Sequence, residues 1–449
     1  MKKILALLLT FSLLWIALAT PSFAATYQYE APVEPQLWKE PDFSTDHDFS
    51  IALIGDTQFL TLGDAYCGTK KMNRLYQVLA DTAEERKLEH VFVVGDMTHN
   101  GYHNDANLAH SYVDPPSTTE WEIAQEAILQ LSDAGISYSL CRGNHDDYMM
   151  DDYFNIPAYT DQFKGIGGFF SDSNAKHPTC REKDNPKGYI YWSAKSGHYE
   201  NSVVNSYKTM KICGKKFIFI TVDFNPTENV LNWVDRILGE YSDHHAIIAT
   251  HSYLVTSGAL NDSEQGDTKY PLGYTADVFW DRVLKNHKNV LMVACGHVGV
   301  TRPVYSTQIG VHGNTVHQIM VNPQKYETVE KPDGTISTGK QDTGMVLYLN
   351  FSDNGSKVTF DYYSTLLNKE MTDTDRTITL YEKDSYGDLD QNGSADQDDA
   401  ILLLYHSLFP DRYPLAKSGD LNGDGKVTLE DAIYLLYHVN FPQNYPLSK

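Results

Sequence analysis

The sequence predicts an α/β protein built as a sandwich of mixed β-sheets, followed by a small all-helical module. Three observations carry this. Short apolar strands alternate with amphipathic helices from about residue 47 to residue 300. Beyond Val316 the pattern turns wholly β. The stretch 384–449 is an internal duplication of a loop and a helix. At 449 residues the chain is longer than one ordinary domain, and 41% hydrophobic residues suffice for a packed core.

The N-terminus reads as a targeting segment. Lys2 and Lys3 supply charge, Ile4–Ala19 an apolar stretch, and Ser22-Phe23-Ala24 a small-residue cleavage site. Residues 1–24 are therefore expected to be a signal peptide, with an apolar run too short to span a membrane. The expected location is secreted and extracellular, with no membrane span. Residues 25–46 are rich in Pro, Glu and Tyr and read as an extended lead-in. The formal net charge of -23 argues against a nucleic-acid backbone or an anionic membrane surface as partner.

The main domain is expected over 47–382. Ser50–Ile54 is a short apolar strand, followed by a helix at about Lys70–Lys87 with Leu75, Val78, Leu79 and Thr82 on one face. Val91–Val94 is the next strand. A helix from about Thr119 carries Trp121, Ala124, Ile128 and Leu131 as its buried stripe, and Ile136–Leu140 is a third strand. Residues 148–210 are rich in Tyr, Asp, Gly, Asn and Lys. Alternation at Tyr189–Trp192 and Ser202–Tyr207 predicts antiparallel strands there. The Tyr and Trp residues between Tyr148 and Trp192 fit either a substrate wall or packing. Lys216–Val222 is a strand, Asn229–Tyr241 a helix, Ala246–Thr250 a strand, Ala276–Asn286 a helix and Val290–Cys295 a strand. His317–Val321, Met345–Phe351 and Lys357–Tyr363 complete the β portion, with a turn at Ser352-Asp353-Asn354-Gly355.

Five of these strands end in Gly or Thr close to a residue of metal-ligand type. Gly55-Asp56-Thr57-Gln58, Gly95-Asp96, Gly143-Asn144-His145-Asp146, Thr250-His251 and Gly296-His297 all lie where open α/β sheets collect ligands. Carboxylates, amides and imidazoles at such positions suit a bound metal.

In this order the motifs resemble the calcineurin-like metallophosphoesterase superfamily, in particular its secreted bacterial branch whose first motif reads Asp-Thr-Gln. The resemblance covers about residues 47–380. It implies a four-layer sandwich, two mixed β-sheets face to face with helices outside, and hydrolysis of a phosphate ester by a metal-bound hydroxide. Carried over residue by residue, Asp96 bridges two metals. Asp56 and Gln58 serve the first metal, and Asn144, His251 and His297 serve the second. His145 protonates the leaving oxygen, and Asp146 orients its ring. Two positions depart from the family pattern. Gln58 stands where His is commoner, and Gly299 stands where the last motif usually has a second His. The first site is left with oxygen donors alone. The expectation is a tightly held second metal (Mn, Fe or Zn) and a weaker first one. The rival expectation is a non-catalytic, ligand-binding relic of the fold.

Other polar residues read more simply. Asp223 reads as a turn former or helix cap, and His244 and His245 as surface residues; His99 and His103 read as solvated loop residues, the alternative being that they face substrate or replace the missing ligand. The odd cysteine count (Cys67, Cys141, Cys180, Cys213 and Cys295) gives no disulfide framework. Cys141 and Cys295 end apolar strands and read as buried thiols.

In the duplication, Asp388-Leu389-Asp390-Gln391-Asn392-Gly393-Ser394-Ala395-Asp396-Gln397-Asp398-Asp399 is followed by Ala400–Pro410, and Asp420-Leu421-Asn422-Gly423-Asp424-Gly425-Lys426-Val427-Thr428-Leu429-Glu430-Asp431 by Ala432–Pro442. Gly at position six and oxygen donors at one, three, five and twelve fit a calcium loop. The expected ligands are Asp388, Asp390, Asn392, Ser394 and Asp399 in the first loop. In the second they are Asp420, Asn422, Asp424, Lys426 and Asp431, with position seven serving through its backbone carbonyl. No amphipathic helix enters the first loop, so each repeat is half an EF-hand. The pattern resembles a type I dockerin, which implies two bound calcium ions and a cohesin domain of a scaffolding protein as partner. Loop positions ten and eleven, Gln397 and Asp398, Leu429 and Glu430, are then the cohesin-contact residues. The two halves differ there.

Overall fold

The structure, a computed structural model, describes residues 38–41, 46–61, 68–99, 118–146, 149–163, 203–224, 226–262, 273–325, 329–330, 336–337, 344–380, 386–390, 395–415 and 418–447. The expected signal peptide, most of the lead-in, His103, Asn392, Ser394 and the alternation at Tyr189–Trp192 lie outside the described residues.

Two mixed sheets form the body. The first runs, in spatial order, β1 (Trp38–Lys39), β15 (Lys369–Met371), β14 (Lys357–Ser364), β13 (Met345–Ser352), β2 (Phe49–Ile54), β3 (Leu88–Val93) and β4 (Ser137–Leu140), with β16 (Arg376–Thr379) also paired to β14. The second runs β5 (Ser206–Ile212), β6 (Lys215–Thr221), β7 (His245–Ala249), β8 (Val290–Cys295), β10 (Thr315–Met320) and β9 (Val304–Ile309). A separate hairpin pairs β11 (Val329–Glu330) with β12 (Ile336–Ser337). Strands β2, β3 and β4 are mutually parallel, as are β6, β7 and β8, so each trio ends at one edge.

Period-two alternation sets the layers. Ile51, Leu53, Phe92 and Val94 of the first sheet join Phe217, Phe219, Ile247 and Met292 of the second in one inter-sheet core. Phe92 and Phe219 meet edge to face at 5.4 Å. The alternate residues Ala52, Ile54, Val91 and Val93 face helices instead, as do Ile218, Ile220 and Ile248. Helices α1 (Gly68–Thr82) and α2 (Thr118–Asp133) bring Leu75, Leu79, Trp121 and Ile128 to that core. Two short helices follow, α3 (Met149–Phe154) and α4 (Pro157–Thr160). Helix α5 (Glu228–Glu240) buries Val230, Leu231, Trp233, Val234, Ile237 and Leu238. Each such side chain is worth about 1.5–3 kcal/mol relative to exposure. Helix α6 (Ala276–Arg282) completes the set.

Several boundaries differ from expectation. The first helix ends at Thr82, and Lys87 in left-handed backbone (φ 48°) turns the chain into a strand that starts at Leu88. Residues 149–154 and 157–160 are helical, in a stretch with no expected element, and the strand expected at Ser202–Tyr207 begins at Ser206. The helix at 276–286 breaks after Arg282, where Val283 (φ -126°, ψ -69°) leaves helical geometry before a short 3₁₀ turn. Strand β9 went unrecognised because half its residues are polar and it lies at a sheet edge.

The C-terminal repeats fold as two loop–helix units. Helices α7 (Gln397–Leu408) and α8 (Leu429–Asn440) share a small core of Leu389, Ala400, Leu403, Leu421, Ala432 and Leu435. Both start with a capping box: Asp396 with Asp399, and Thr428 with Asp431. Among the described residues, no helix is long and apolar enough to cross a membrane.

Candidate metal centre

Loops at the ends of both parallel trios meet at one place. Asp56 follows β2, Asp96 follows β3, Asn144 and His145 follow β4, His251 follows β7 and His297 follows β8. The turns are tight. Asp56, Asp96 and His297 all adopt left-handed backbone, with φ of 45°, 51° and 72°. That costs an L-residue roughly 1–2 kcal/mol. Hydrogen bonds across the site offset the cost. The His297 N–H donates to both Asp56 oxygens at 3.0 Å. The His145 N–H donates to Asp96 Oδ1 at 2.8 Å. At Gly143 a Cβ would overlap the Asp96 carboxylate, so only glycine permits these two loops to touch.

Four donor atoms converge. Asn144 Oδ1 lies 3.0 Å from His251 Nε2 and 2.8 Å from His297 Nδ1. The two imidazole nitrogens are 3.2 Å apart, and Asp96 Oδ2 is 3.3 Å from His251 Nε2. The Val94 carbonyl, 2.8 Å from His251 Nδ1, can only accept, so Nδ1 carries a proton and Nε2 faces the cluster. Among the described residues, Asp96, His251 and His297 form a group able to hold a metal ion.

The electrostatics fit a cation. Burial opposes charge on His251, but Asp96 and Asp56 overcome it and push its pKa up to about 9. Burial likewise works against the Asp96 carboxylate, yet His251 and His145 hold it well below the usual carboxylate range. Burial, then the charge of His251, pushes His297 down to about 3, leaving a neutral ligand. Burial raises Asp56. The cluster thus draws positive charge onto an otherwise buried imidazole. Gln58, buried at the start of a 3₁₀ turn, presents an amide oxygen with no hydrogen-bond partner among the described residues. Such an orphan costs about 1–3 kcal/mol, and a cation would satisfy it. Hence Asp56, Gln58, Asp96, Asn144, His251 and His297 fit bound divalent metal by donor chemistry.

Asp146 departs from its expected role. Its carboxylate accepts from the N–H groups of Met97 (3.2 Å), Thr98 (3.0 Å) and Gly143 (3.0 Å), and from Thr98 Oγ1 (3.0 Å). It ties the loop after β3 to the loop after β4 instead of orienting an imidazole. The ring of His145 is set by the His99 carbonyl, 2.8 Å from its Nδ1. His99 is itself buried, not solvated, and its ring lies 4.9 Å from that of His145 at 16°. Asp223 is neither turn former nor cap but the partner of Arg142 in a buried ion pair. Phe224 follows it and packs 5.7 Å from the His251 ring and 5.9 Å from the His297 ring. No periodicity marks these residues. The available signal was their place within two residues of a motif or strand end.

In the C-terminal module, Asp388, Asp390 and Asp399 form a second group able to hold a metal. Asp399 accepts from the N–H groups of Leu389 and Asp390 (2.7 and 2.8 Å), and Asp431 from those of Leu421 and Asn422 (2.8 and 3.1 Å). Asp420 organises the second loop by accepting from Gly423, Asp424 and Gly425. Burial, with Asp390 and Asp396 nearby, pushes Asp399 up to about 8. Leu429 is exposed, whereas Asp398 pairs with Lys216 of the main domain.

Solved structures with similar topology include a dimetal phosphatase from Danio rerio, with 12% identity, TM-score 0.39 and coverage of 75% of this chain and 100% of that one. Another is the purple acid phosphatase PPD1 from yellow lupin seeds, with 14% identity, TM-score 0.40 and coverage of 76% and 55%. The uncharacterized protein YvnB of Bacillus subtilis is 21% identical over 350 residues, covering 76% of this chain and 21% of that protein. The chain thus spans about a fifth of the length of this relative. Residues 49–301, more than half of the chain, match the family described as calcineurin-like phosphoesterase. This match takes in all five strand-end motifs that build the cluster, and the chain belongs to the calcineurin-like phosphoesterase family.

Proposed function

We propose that the protein is a secreted metal-dependent phosphoesterase that hydrolyses a phosphate ester with His145 as general acid. The observation that carries this is the convergence of Asn144 Oδ1, His251 Nε2, His297 Nδ1 and Asp96 Oδ2 beside His145. Asn144, His251, His297 and Asp96 would hold the firmer metal, and Asp56, Gln58 and Asp96 the weaker. Bound divalent cations supply Lewis acidity toward phosphoryl oxygens and acidify water. The chain's own contribution is proton management. The His99 carbonyl fixes the proton on His145 Nδ1, so Nε2 is the atom that delivers a proton to the leaving oxygen. Metal analysis of protein purified without added metal tests the site assignment. About one tightly held equivalent in the main domain is expected, because the first site has only oxygen donors. Two tightly held equivalents there would contradict it.

The C-terminal module is proposed to be a calcium-dependent dockerin that binds a cohesin domain. The exposed apolar residues of its helices support this: Ile401, Tyr405 and Phe409 on the first, Ile433, Tyr437 and Phe441 on the second. Cohesin binding that survives EDTA would refute the assignment.

A further inference from the structure

We propose that Glu120 and His99 form a positioning chain that aims the acid His145, an inference that rests on the phosphoesterase reading above. The argument starts from the loop after β3. Every backbone N–H from Met97 to His99 is captured by a buried carboxylate. Asp146 takes those of Met97 and Thr98, at 3.2 and 3.0 Å. Glu120, in the first turn of α2, takes that of His99 at 2.7 Å. Both carboxylates are at most 3% exposed. Charge-assisted bonds of this kind are about twice as strong as neutral ones. They fix the chain up to the His99 nitrogen, and the carbonyl of the same residue, in the next peptide unit, lies 2.8 Å from His145 Nδ1.

The His99 side chain adds a second constraint. Its ring stacks on His145 at 4.9 Å and 16°, and Phe59 packs on His99 at 4.9 Å. Phe59 immediately follows Gln58, so three rings in series link the first motif to the acid. The carbonyl holds the Nδ1 proton, so the Nε2 proton of the doubly protonated ring is the one free to transfer, and the stack fixes the ring plane. A proton donor needs both. The reaction breaks the bond between phosphorus and the leaving oxygen while the oxygen of water bonds to phosphorus. The proton on His145 Nε2 passes to the leaving oxygen, the attacking water gives up a proton to solvent, and solvent returns one to Nε2. Its alignment matters most when that oxygen is strongly basic.

The test uses the full chain with Mn, and compares phenyl phosphate (a poor leaving group) with 4-nitrophenyl phosphate (a good one). For phenyl phosphate, His99→Ala should lower kcat by about 10-fold or more, the scale on which misplaced catalytic groups fail. KM should stay within about twofold, and 4-nitrophenyl phosphate should be affected much less. His99→Phe should restore most of the loss by replacing the stack. Glu120→Ala should resemble His99→Ala, while Glu120→Gln, which still accepts the bond, should retain most activity. Metal content and melting temperature are measured for each variant. An equal loss on both substrates, a loss of bound metal in His99→Ala, or no loss at all would overturn the proposal. His145→Ala separates it from the wider reading. If His145→Ala abolishes phenyl phosphate turnover while His99→Ala and Glu120→Ala do not reduce it, only the positioning chain fails. If His145→Ala has no effect, the acid assignment itself fails.

Discussion

Arg142 donates Nε and Nη2 to the two carboxylate oxygens of Asp223, at 2.8 and 2.5 Å, in a pair that is buried on both sides. The pair joins the end of β4 in one sheet to the end of β6 in the other. Arg142 precedes Gly143-Asn144, and Asp223 precedes the Phe224 that packs on both metal-site imidazoles. Burial raises the Asp223 pKa against the pull of Arg142, which marks a carboxylate dependent on its partner. Asp223→Ala would leave a buried guanidinium without its counter-ion. The expected loss is about 3–5 kcal/mol of stability, read as a lower midpoint in guanidinium unfolding. A midpoint shift equivalent to less than about 1 kcal/mol would show that water or another group replaces the carboxylate.

Asp146 and His145 should separate cleanly on mutation. Asp146 satisfies three backbone N–H groups and one hydroxyl. Its removal strands buried donors at about 1–3 kcal/mol each, so Asp146→Ala should unfold at clearly lower denaturant. His145→Ala should leave the unfolding midpoint nearly unchanged while turnover falls. Equal stability of the two variants would restore the view that Asp146 serves the imidazole alone.

A buried lysine predicts pH dependence away from the metal. Lys208 is 2% exposed, donates to Ser137 Oγ at 2.7 Å, and burial pushes its pKa down to about 7. The unfolded chain holds this proton up to the ordinary value of 10.5. Between these limits the unfolded state binds more protons, so stability should rise with pH by up to about 1.4 kcal/mol per unit. Below about 7 the cost of burying the charge is fully present. Lys208→Met should therefore flatten the slope between pH 7 and 10, measured as guanidinium midpoints of both proteins. Parallel slopes would contradict the assignment.

Calcium should matter only at the C-terminus. Asp388, Asp390 and Asp399 come together in the first loop, Asp420 and Asp431 order the backbone of the second, and a core of only a few apolar side chains lies behind them. So small a unit needs a staple. Chelation should lower a separate, early unfolding transition that added calcium restores, and Asp420→Ala should mimic chelation of the second loop. A single transition insensitive to EDTA would rule this out.

The central strands and the cluster of Asp96, Asn144, His251 and His297 could be read from the sequence because both signals are local. An apolar run such as Val290–Cys295 declares a buried strand, and a polar residue after its glycine is conspicuous. The partners of Asp146, the burial of His99 and the Arg142–Asp223 pair could not, because each depends on loops far apart in sequence. Arg142 and Asp223 are 81 residues apart, and His99 and His145 are 46 apart. Helices α3 and α4, six and four residues long, are too short to show a helical period in a polar, aromatic stretch. Their burial of Phe154 and Tyr159 against Tyr138 and Trp121 is tertiary.

The most direct test of the central claim is turnover of phenyl phosphate and a phosphate diester with Mn by the wild-type chain, His251→Ala and His145→Ala. The account predicts metal-dependent hydrolysis of at least one ester. His251→Ala should lose activity together with bound metal, and His145→Ala should lose activity while keeping it. Absence of turnover on every ester, or full activity in His145→Ala, would contradict it and favour a ligand-binding relic of the fold.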